Sequence, residues 1–255
     1  MATLSQGTCP QCGGRGYTTY DDGGYHCFSC GVHSSGSGFV GLAARINKPK
    51  ETIQQDACHP LPRDAEPLIG AHGKVSCGMQ GKAQLWVQMY GITQAEIDQH
   101  HVLWSTQEQL LIFPVYDSGG SLLMWQGRYF GNYHKHPKYL TRGKKETVLH
   151  VIQPDKPAPF VVLTEDLISA IKVGRQYPAI PLWGSSLSKE VVQRIATQYE
   201  RAYLWLDYDK RDYAIKASFE HCMRLHITPI ITQLDPKCYS DDEIKTIMQR
   251  DYTDD

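Results

Sequence analysis

The sequence contains no apolar run of about 18 residues, the length a membrane-spanning helix needs, so no segment reads as transmembrane. Its opening, Met1-Ala2-Thr3-Leu4-Ser5-Gln6, lacks the basic, apolar and small-residue order of a signal peptide. It also lacks an excess of positive charge. The formal net charge is -1, so no global field advertises nucleic acid, and any surface that binds it must be local. No Gly-x-x-x-x-Gly-Lys-Ser/Thr phosphate loop occurs, which excludes a P-loop motor from these residues. There is no internal repeat, and low complexity is confined to the linker-like His33-Ser34-Ser35-Gly36-Ser37-Gly38. Together these absences lead us to expect a soluble protein in a reducing, cytoplasmic setting, with no membrane partner.

Cysteine is not scarce. Of eight cysteines, four fall into two pairs, Cys9-Pro10-Gln11-Cys12 and Cys27-Phe28-Ser29-Cys30, with fourteen residues between the pairs. Each Cys-x-x-Cys forms a tight knuckle that aims two thiolates at one point, and two knuckles complete a tetrahedral zinc site. A closed four-thiolate site is structural, so the expected role of Zn2+ is to fold this module. Between the pairs, Thr18-Thr19-Tyr20 and Tyr25-His26-Cys27-Phe28 flank the turn signal Asp21-Asp22-Gly23-Gly24, which predicts a hairpin. Arg15, Tyr17, Tyr20, Tyr25, His26 and Phe28 decorate it. They either stack on nucleic-acid bases or pack a ribbon with little other core. Cys58, Cys77, Cys222 and Cys238 have no such spacing.

The composition divides the 255 residues into four stretches: a β zinc ribbon at 1–36, a flexible linker at 37–60, a mixed α+β subdomain at 61–156 and an α/β domain at 157–255. In the third stretch Ala83 to Tyr90 reads as a helix stopped by Gly91, and Thr93-x-x-Glu96 is a capping box opening another. Leu110 to Tyr116 and Ser121 to Tyr129 read as a hairpin joined by Asp117-Ser118-Gly119-Gly120. In the last stretch strands at 160–164, 179–183, 202–206 and 227–232 alternate with helices at 166–177, 188–199, 212–225 and 240–250. Ser240-x-x-Glu243 caps the last helix. Such alternation predicts a parallel sheet with right-handed crossovers.

Two strands of that sheet end in acid. Phe160-Val161-Val162-Leu163-Thr164 runs into Glu165, and Ala202 to Leu206 runs into Asp207-Tyr208-Asp209. Ligands of a parallel sheet sit beyond the carboxyl ends of its strands, so the three carboxylates are expected to converge there and hold a hard cation such as Mg2+. Upstream, no acidic residue occurs between Ser118 and Lys145, while Arg128, Lys135, Lys138, Arg142, Lys144, Lys145, His134 and His136 do. A positive wall beside an acidic metal site suits phosphate oxygens. Metal-assisted phosphoryl transfer on nucleic acid is the chemistry these patterns suggest.

These residues resemble a known family. Leu110 to Met248 is similar to the catalytic core of DnaG-type DNA primases, and the whole chain resembles the phage versions. The resemblance is carried by Phe113-Pro114-Val115-Tyr116-Asp117 with Gly120, by Gln126-Gly127-Arg128 and by Pro137-Lys138-Tyr139-Leu140. It continues through Glu165, Asp207-x-Asp209 and Asp235-Pro236, and an N-terminal four-cysteine ribbon on a tether belongs to it. Glu165, Asp207 and Asp209 match the Toprim signature. The resemblance implies a Toprim parallel-sheet domain that synthesises RNA primers from NTPs on single-stranded DNA. Glu165, Asp207, Asp209 and Asp235 would hold Mg2+ or Mn2+, and Arg128, Lys138, Arg142 and Lys144 would contact triphosphate or template. It further implies a replicative helicase acting in trans and, for a phage-encoded chain, the host-cell cytoplasm. The chain departs from the family after the first Glu, where Gly and a further Asp are usual and Asp166 and Ser169 stand instead. Two other readings share parts of the pattern: a RecR-type recombination mediator that binds DNA without catalysis, and a Toprim nuclease.

Overall fold

The computed structural model describes residues 3–11, 13–21, 23–28, 32–34, 60–69, 76–131, 136–154 and 158–252. The chain forms two compact units, Met1–Gln55 and Asp56–Asp255. All but the last residue of the expected linker at 37–60 lies outside the described residues.

The first unit is a four-stranded antiparallel sheet of β1 (Thr3–Gly7), β2 (Tyr17–Tyr20), β3 (Tyr25–Cys27) and β4 (His33–Ser34), in that order. Its central pair is the expected hairpin. Tyr20 N–H donates to Gly24 O at 2.9 Å, and Gly23 takes the left-handed φ of 80° that the turn requires. Two strands differ from expectation. Thr3–Gly7 has no apolar alternation to announce it, and His33–Ser34, expected in the linker, pairs with β3 instead. The chain returns to β3 because Cys27 N–H donates to Val32 O at 2.8 Å.

The second unit contains two sheets. The first is an antiparallel meander of β5 (Ala65–Pro67), β6 (Leu103–Ser105), β7 (Leu110–Tyr116), β8 (Leu122–Tyr129) and β9 (Tyr139–Arg142). The β7–β8 turn is closed by Asp117, whose Oδ1 accepts from Gly119 N at 2.9 Å and Ser121 N at 2.8 Å. Ahead of the meander's second strand lie α1 (Gly78–Met89) and α2 (Gln94–Gln99). α1 starts five residues before the expected Ala83. α2 carries the expected capping box, with Thr93 N–H donating to Glu96 Oε2 at 2.7 Å and Glu96 N–H to Thr93 Oγ1 at 3.3 Å.

The second sheet is parallel throughout, in the order β11 (Ala179–Pro181), β10 (Phe160–Thr164), β12 (Arg201–Trp205), β13 (His226–Pro229). The helices α3 (Leu167–Gly174), α4 (Lys189–Ala196), α5 (Arg211–His221) and α6 (Asp241–Tyr252) follow the strands in turn; the first three are shorter than the sequence pattern suggested, and α6 runs two residues further. Two strands also stop early. β11 ends at Pro181 because Trp183 turns the backbone to φ 55°, and β13 ends at Pro229 rather than at 232.

Period-two alternation explains why β10 is apolar throughout. Phe160 and Val162 face one core with Tyr203, Trp205 and residues of α3 and α6, while Val161 and Leu163 face another with α4 and α5. The first of these cores also contains Leu111, Phe113, Val115 and Met124 of the meander. The two sheets therefore share this first core. Arg175 adds a polar clamp at its edge, reaching Glu96 of α2 at 2.7 Å and 2.9 Å and Asp241 of α6 at 3.1 Å. Among the described residues no helix is long and apolar enough to cross a membrane.

Candidate active site

The carboxyl ends of the parallel strands open into a cleft of about 250 Å³ whose far side is the meander sheet. Each strand end contributes a residue that its own geometry exposes there. Glu165 and Asp166 follow β10, Trp183 and Gly184 follow β11, Asp207 follows β12, and Asp235 and Lys237 lie in the loop beyond β13. The meander contributes Gln126 and Arg128 from β8 and Tyr139 and Thr141 from β9, with Lys138 just before β9 and Tyr90 at the end of α1. An acidic floor thus meets a basic and aromatic wall.

Lys237 organises the floor. Its ammonium lies 2.9 Å from Asp166 Oδ2, 3.0 Å from Asp207 Oδ2 and 3.1 Å from Asp235 Oδ2. Burial works against the ammonium, but Asp166 and Asp207 outweigh it and hold the lysine charged at any working pH. Asp166 does two things at once. Its Oδ1 caps α3 by accepting from Ser169 N at 2.8 Å, leaving Oδ2 for Lys237. Burial pushes the Asp207 carboxyl up despite Lys237, whereas at Asp235 burial is outweighed by Lys237 and the Tyr208 N–H, which hold it down. Glu165 is raised by burial and by Asp166, and its Oε2 is buried with no hydrogen-bond partner among the described residues.

The opposite wall is built around Arg128. Its guanidinium stacks 4.1 Å from the Trp86 ring of α1, stands 5.4 Å from both Phe130 and Tyr139, and donates to Tyr139 Oη at 2.7 Å. Burial first, then the Asp166 charge, pushes the Tyr139 hydroxyl up to about 12, so it stays protonated beside Arg128. Gln126 ties the two walls together, donating to Thr141 Oγ1 at 3.0 Å and to Trp183 O at 3.2 Å.

Several solved structures share this architecture. The primase fragment of the bacteriophage T7 primase-helicase protein is 14% identical, with a TM-score of 0.50 over 98% of this chain and 100% of that one. The zinc-binding and RNA polymerase domains of Aquifex aeolicus primase are 14% identical, with a TM-score of 0.53 over 98% of this chain and 80% of theirs. A DnaG primase catalytic domain bound to single-stranded DNA is 14% identical, with a TM-score of 0.53 over 68% and 72%. The chain has the fold of DNA primases. No family model matches the sequence, and no curated protein does.

Within this fold the residues singled out from sequence divide into two groups. Glu165, Asp207, Asp235, Arg128 and Lys138 line the cleft together. Asp209 does not line it; its side chain is 69% exposed and pairs with Lys210, although its charge still reaches Glu165. Arg142 and Lys144 are exposed and also lie outside the cleft lining. Lys135 and His134 fall outside the described residues, while Lys145 reaches the Trp183 carbonyl at 3.4 Å. Among the described residues, no three His, Cys, Asp or Glu side chains are arranged to hold a metal ion; Glu165 and Asp207 share the cleft, and Asp209 stands outside its lining.

Sequence reasoning missed Lys237, Tyr90, Thr141 and the Trp86 platform. A lone Lys two residues after Asp235 carries no local signal. For Trp86, an aromatic on the same helix as Tyr90 one turn on was visible, but not its facing Arg128.

In the first unit, Cys9 and Cys27 are buried. Cys9 N–H donates to Gly14 O, and Cys27 N–H to Val32 O, each at 2.8 Å and each five residues ahead. Cys12 and Cys30 lie outside the described residues.

Proposed function

We propose that the chain is a DNA primase: a nucleotidyltransferase that makes short RNA primers from NTPs on single-stranded DNA. One observation carries the reading. In a primase fold, a cleft sets Arg128 and Lys138 across from Glu165, Asp207 and Asp235, so anionic phosphates and a cation can meet between them. The second unit would comprise a basic subdomain at 61–156 and a Toprim domain at 157–255, preceded by a zinc ribbon at 1–36 and a tether at 37–60.

The floor suits Mg2+ or Mn2+ in donor chemistry. All its ligating atoms are carboxylate oxygens, they already surround one cation, and Glu165 Oε2 has an open lone pair. Glu165, with Asp209 at the rim, would hold the ion directly, and Asp207 and Asp235, which meet Lys237, would border it. When bound, it would favour ionisation of the attacking 3'-hydroxyl and offset charge at the α-phosphate. The chain's own residues do the rest. Arg128, fixed by Trp86 and Tyr139, presents a planar donor fork to the triphosphate, and Lys138 adds a charge at the mouth. Arg142 and Lys144, exposed beside the cleft, would track the template backbone. The equivalent backbone hydrogen bonds of buried Cys9 and Cys27 suit a four-thiolate Zn2+ with Cys12 and Cys30, and the ribbon would help select the start site. A single-stranded template fits the DNA-bound DnaG domain, and a helicase working in trans fits the primase-helicase relative.

The test is incorporation of labelled NTPs on unprimed single-stranded DNA of mixed sequence with Mg2+ or Mn2+, beside a variant carrying Asp207→Ala and Asp209→Ala. Short products from the wild type alone are expected. Equal products from the folded variant would overturn the reading, and degradation of labelled DNA without nucleotides would replace it with a nuclease.

A further inference from the structure

Nucleotidyl transfer is often run by two divalent ions about 3.5–4 Å apart, which clamp the attacking and leaving oxygens. In this cleft one cation is built into the protein. Lys237 has three ammonium protons and three carboxylates to receive them, from Asp166, Asp207 and Asp235, all within 3.1 Å. These arrive from three separate loops, after β10, β12 and β13, so the lysine holds the carboxyl ends of three strands in register. Its side chain is only 7% exposed.

The donors on this side are committed. Asp166 spends its remaining oxygen on the Ser169 N–H, both Asp207 oxygens lie within 3.2 Å of the ammonium, and Asp235 Oδ1 receives Tyr208 N–H at 3.3 Å. On the other side Glu165 Oε2 has no partner among the described residues, and the rim carboxylate Asp209 is largely exposed. The floor is therefore asymmetric: one half is filled by the buried ammonium of Lys237, while in the other Glu165 Oε2 has no partner among the described residues and Asp209 meets the half-exposed Lys210.

We propose that Lys237 is the fixed second cation of this site, so that the chain takes one divalent ion, on the Glu165 side, where a two-metal site takes two. The proposal rests on the catalytic reading above and specifies its metal requirement. The ammonium neutralises and positions Asp166, Asp207 and Asp235, while its single charge and its longer bonds leave hydroxyl activation to the bound ion.

The zinc-loaded full chain, without nucleotide, is titrated with Mn2+, and free Mn2+ is read by paramagnetic resonance. The wild type should bind one ion, and Glu165→Gln should weaken that ion at least tenfold. Lys237→Met, which frees three carboxylates, should bind two, and Lys237→Arg should remain at one. Two tight ions in the wild type, none at all, or an unchanged count in folded Lys237→Met would each overturn the proposal. If Lys237→Met does not fold by circular dichroism, the wild-type and Glu165→Gln counts decide alone. The count is independent of primer synthesis. A chain that binds one Mn2+ yet makes no primers refutes the primase reading and leaves this one standing, and primers made with two bound ions do the reverse.

Discussion

Mild acid should loosen the second unit through one histidine. The His150 ring sits between His100, 5.7 Å away by ring centroids, and Trp183, 6.2 Å away. Burial, reinforced by His100, pushes His150 down to about 4 from its ordinary 6.5, and burial lowers His100 as well. The folded state therefore takes up a proton later than the unfolded chain. Stability is intact above pH 6.5 and falls as the pH drops through the window between 6.5 and about 4. At pH 5, linkage between those two values amounts to about 2 kcal/mol for His150. The ring is only partly enclosed, so the loss expected in practice is about 1–2 kcal/mol, or roughly 2–8 °C in melting temperature for a unit of this size. Urea unfolding at pH 7 and pH 5 on wild type and His150→Phe measures it. The difference between the two pH values should shrink in the variant by that amount, while carboxylate contributions cancel between the two proteins. An equal loss in both proteins would refute the reasoning. Trp183 also lines the cleft, so the same acid window should quench or shift its emission.

Two further substitutions probe the walls. Trp86→Leu removes the face on which Arg128 rests at 4.1 Å. Affinity for a fluorescent nucleoside triphosphate should fall by about 2- to 30-fold, the worth of a cation–π contact, and an unchanged affinity would mean that Tyr139 alone holds the guanidinium. Gly174→Ala would set a Cβ 2.4 Å from Ile152 Cγ2. Urea unfolding should show a loss of about 1–3 kcal/mol, recovered in part when Ile152 is also shortened to Ala.

What could be read from sequence follows the range of the forces involved. The β10 run is apolar because both its faces are buried, and the Thr93 and Ser240 boxes are contacts across three residues, so local pattern suffices for each. Glu165 and Asp207 likewise mark the acidic edge, since strand ends show where apolar runs stop, whereas Asp235 lies six residues past β13 and was legible only through the resemblance to primases. β9 escaped notice because Tyr139–Arg142 is short and half-exposed, and it is a strand only by virtue of pairing with β8. Lys237 escaped because two of the three carboxylates that give it meaning, Asp207 and Asp166, lie 30 and 71 residues away along the chain. The outward position of Asp209, paired with Lys210, was equally hidden, because Asp-x-Asp spacing does not say which of its two carboxylates faces the cleft.

The continuous interior beneath the two sheets has a consequence for how this chain would behave when cut. Leu111, Phe113, Val115 and Met124 share their contacts with Phe160, Val162, Tyr203 and Trp205, and Gln126 and Arg175 bridge the same divide by hydrogen bonds. A protease that nicked the backbone between β9 and β10 would leave two peptides migrating as one particle under native conditions and as two only in denaturant. The opposing walls of the cleft would keep their spacing with no peptide bond joining them.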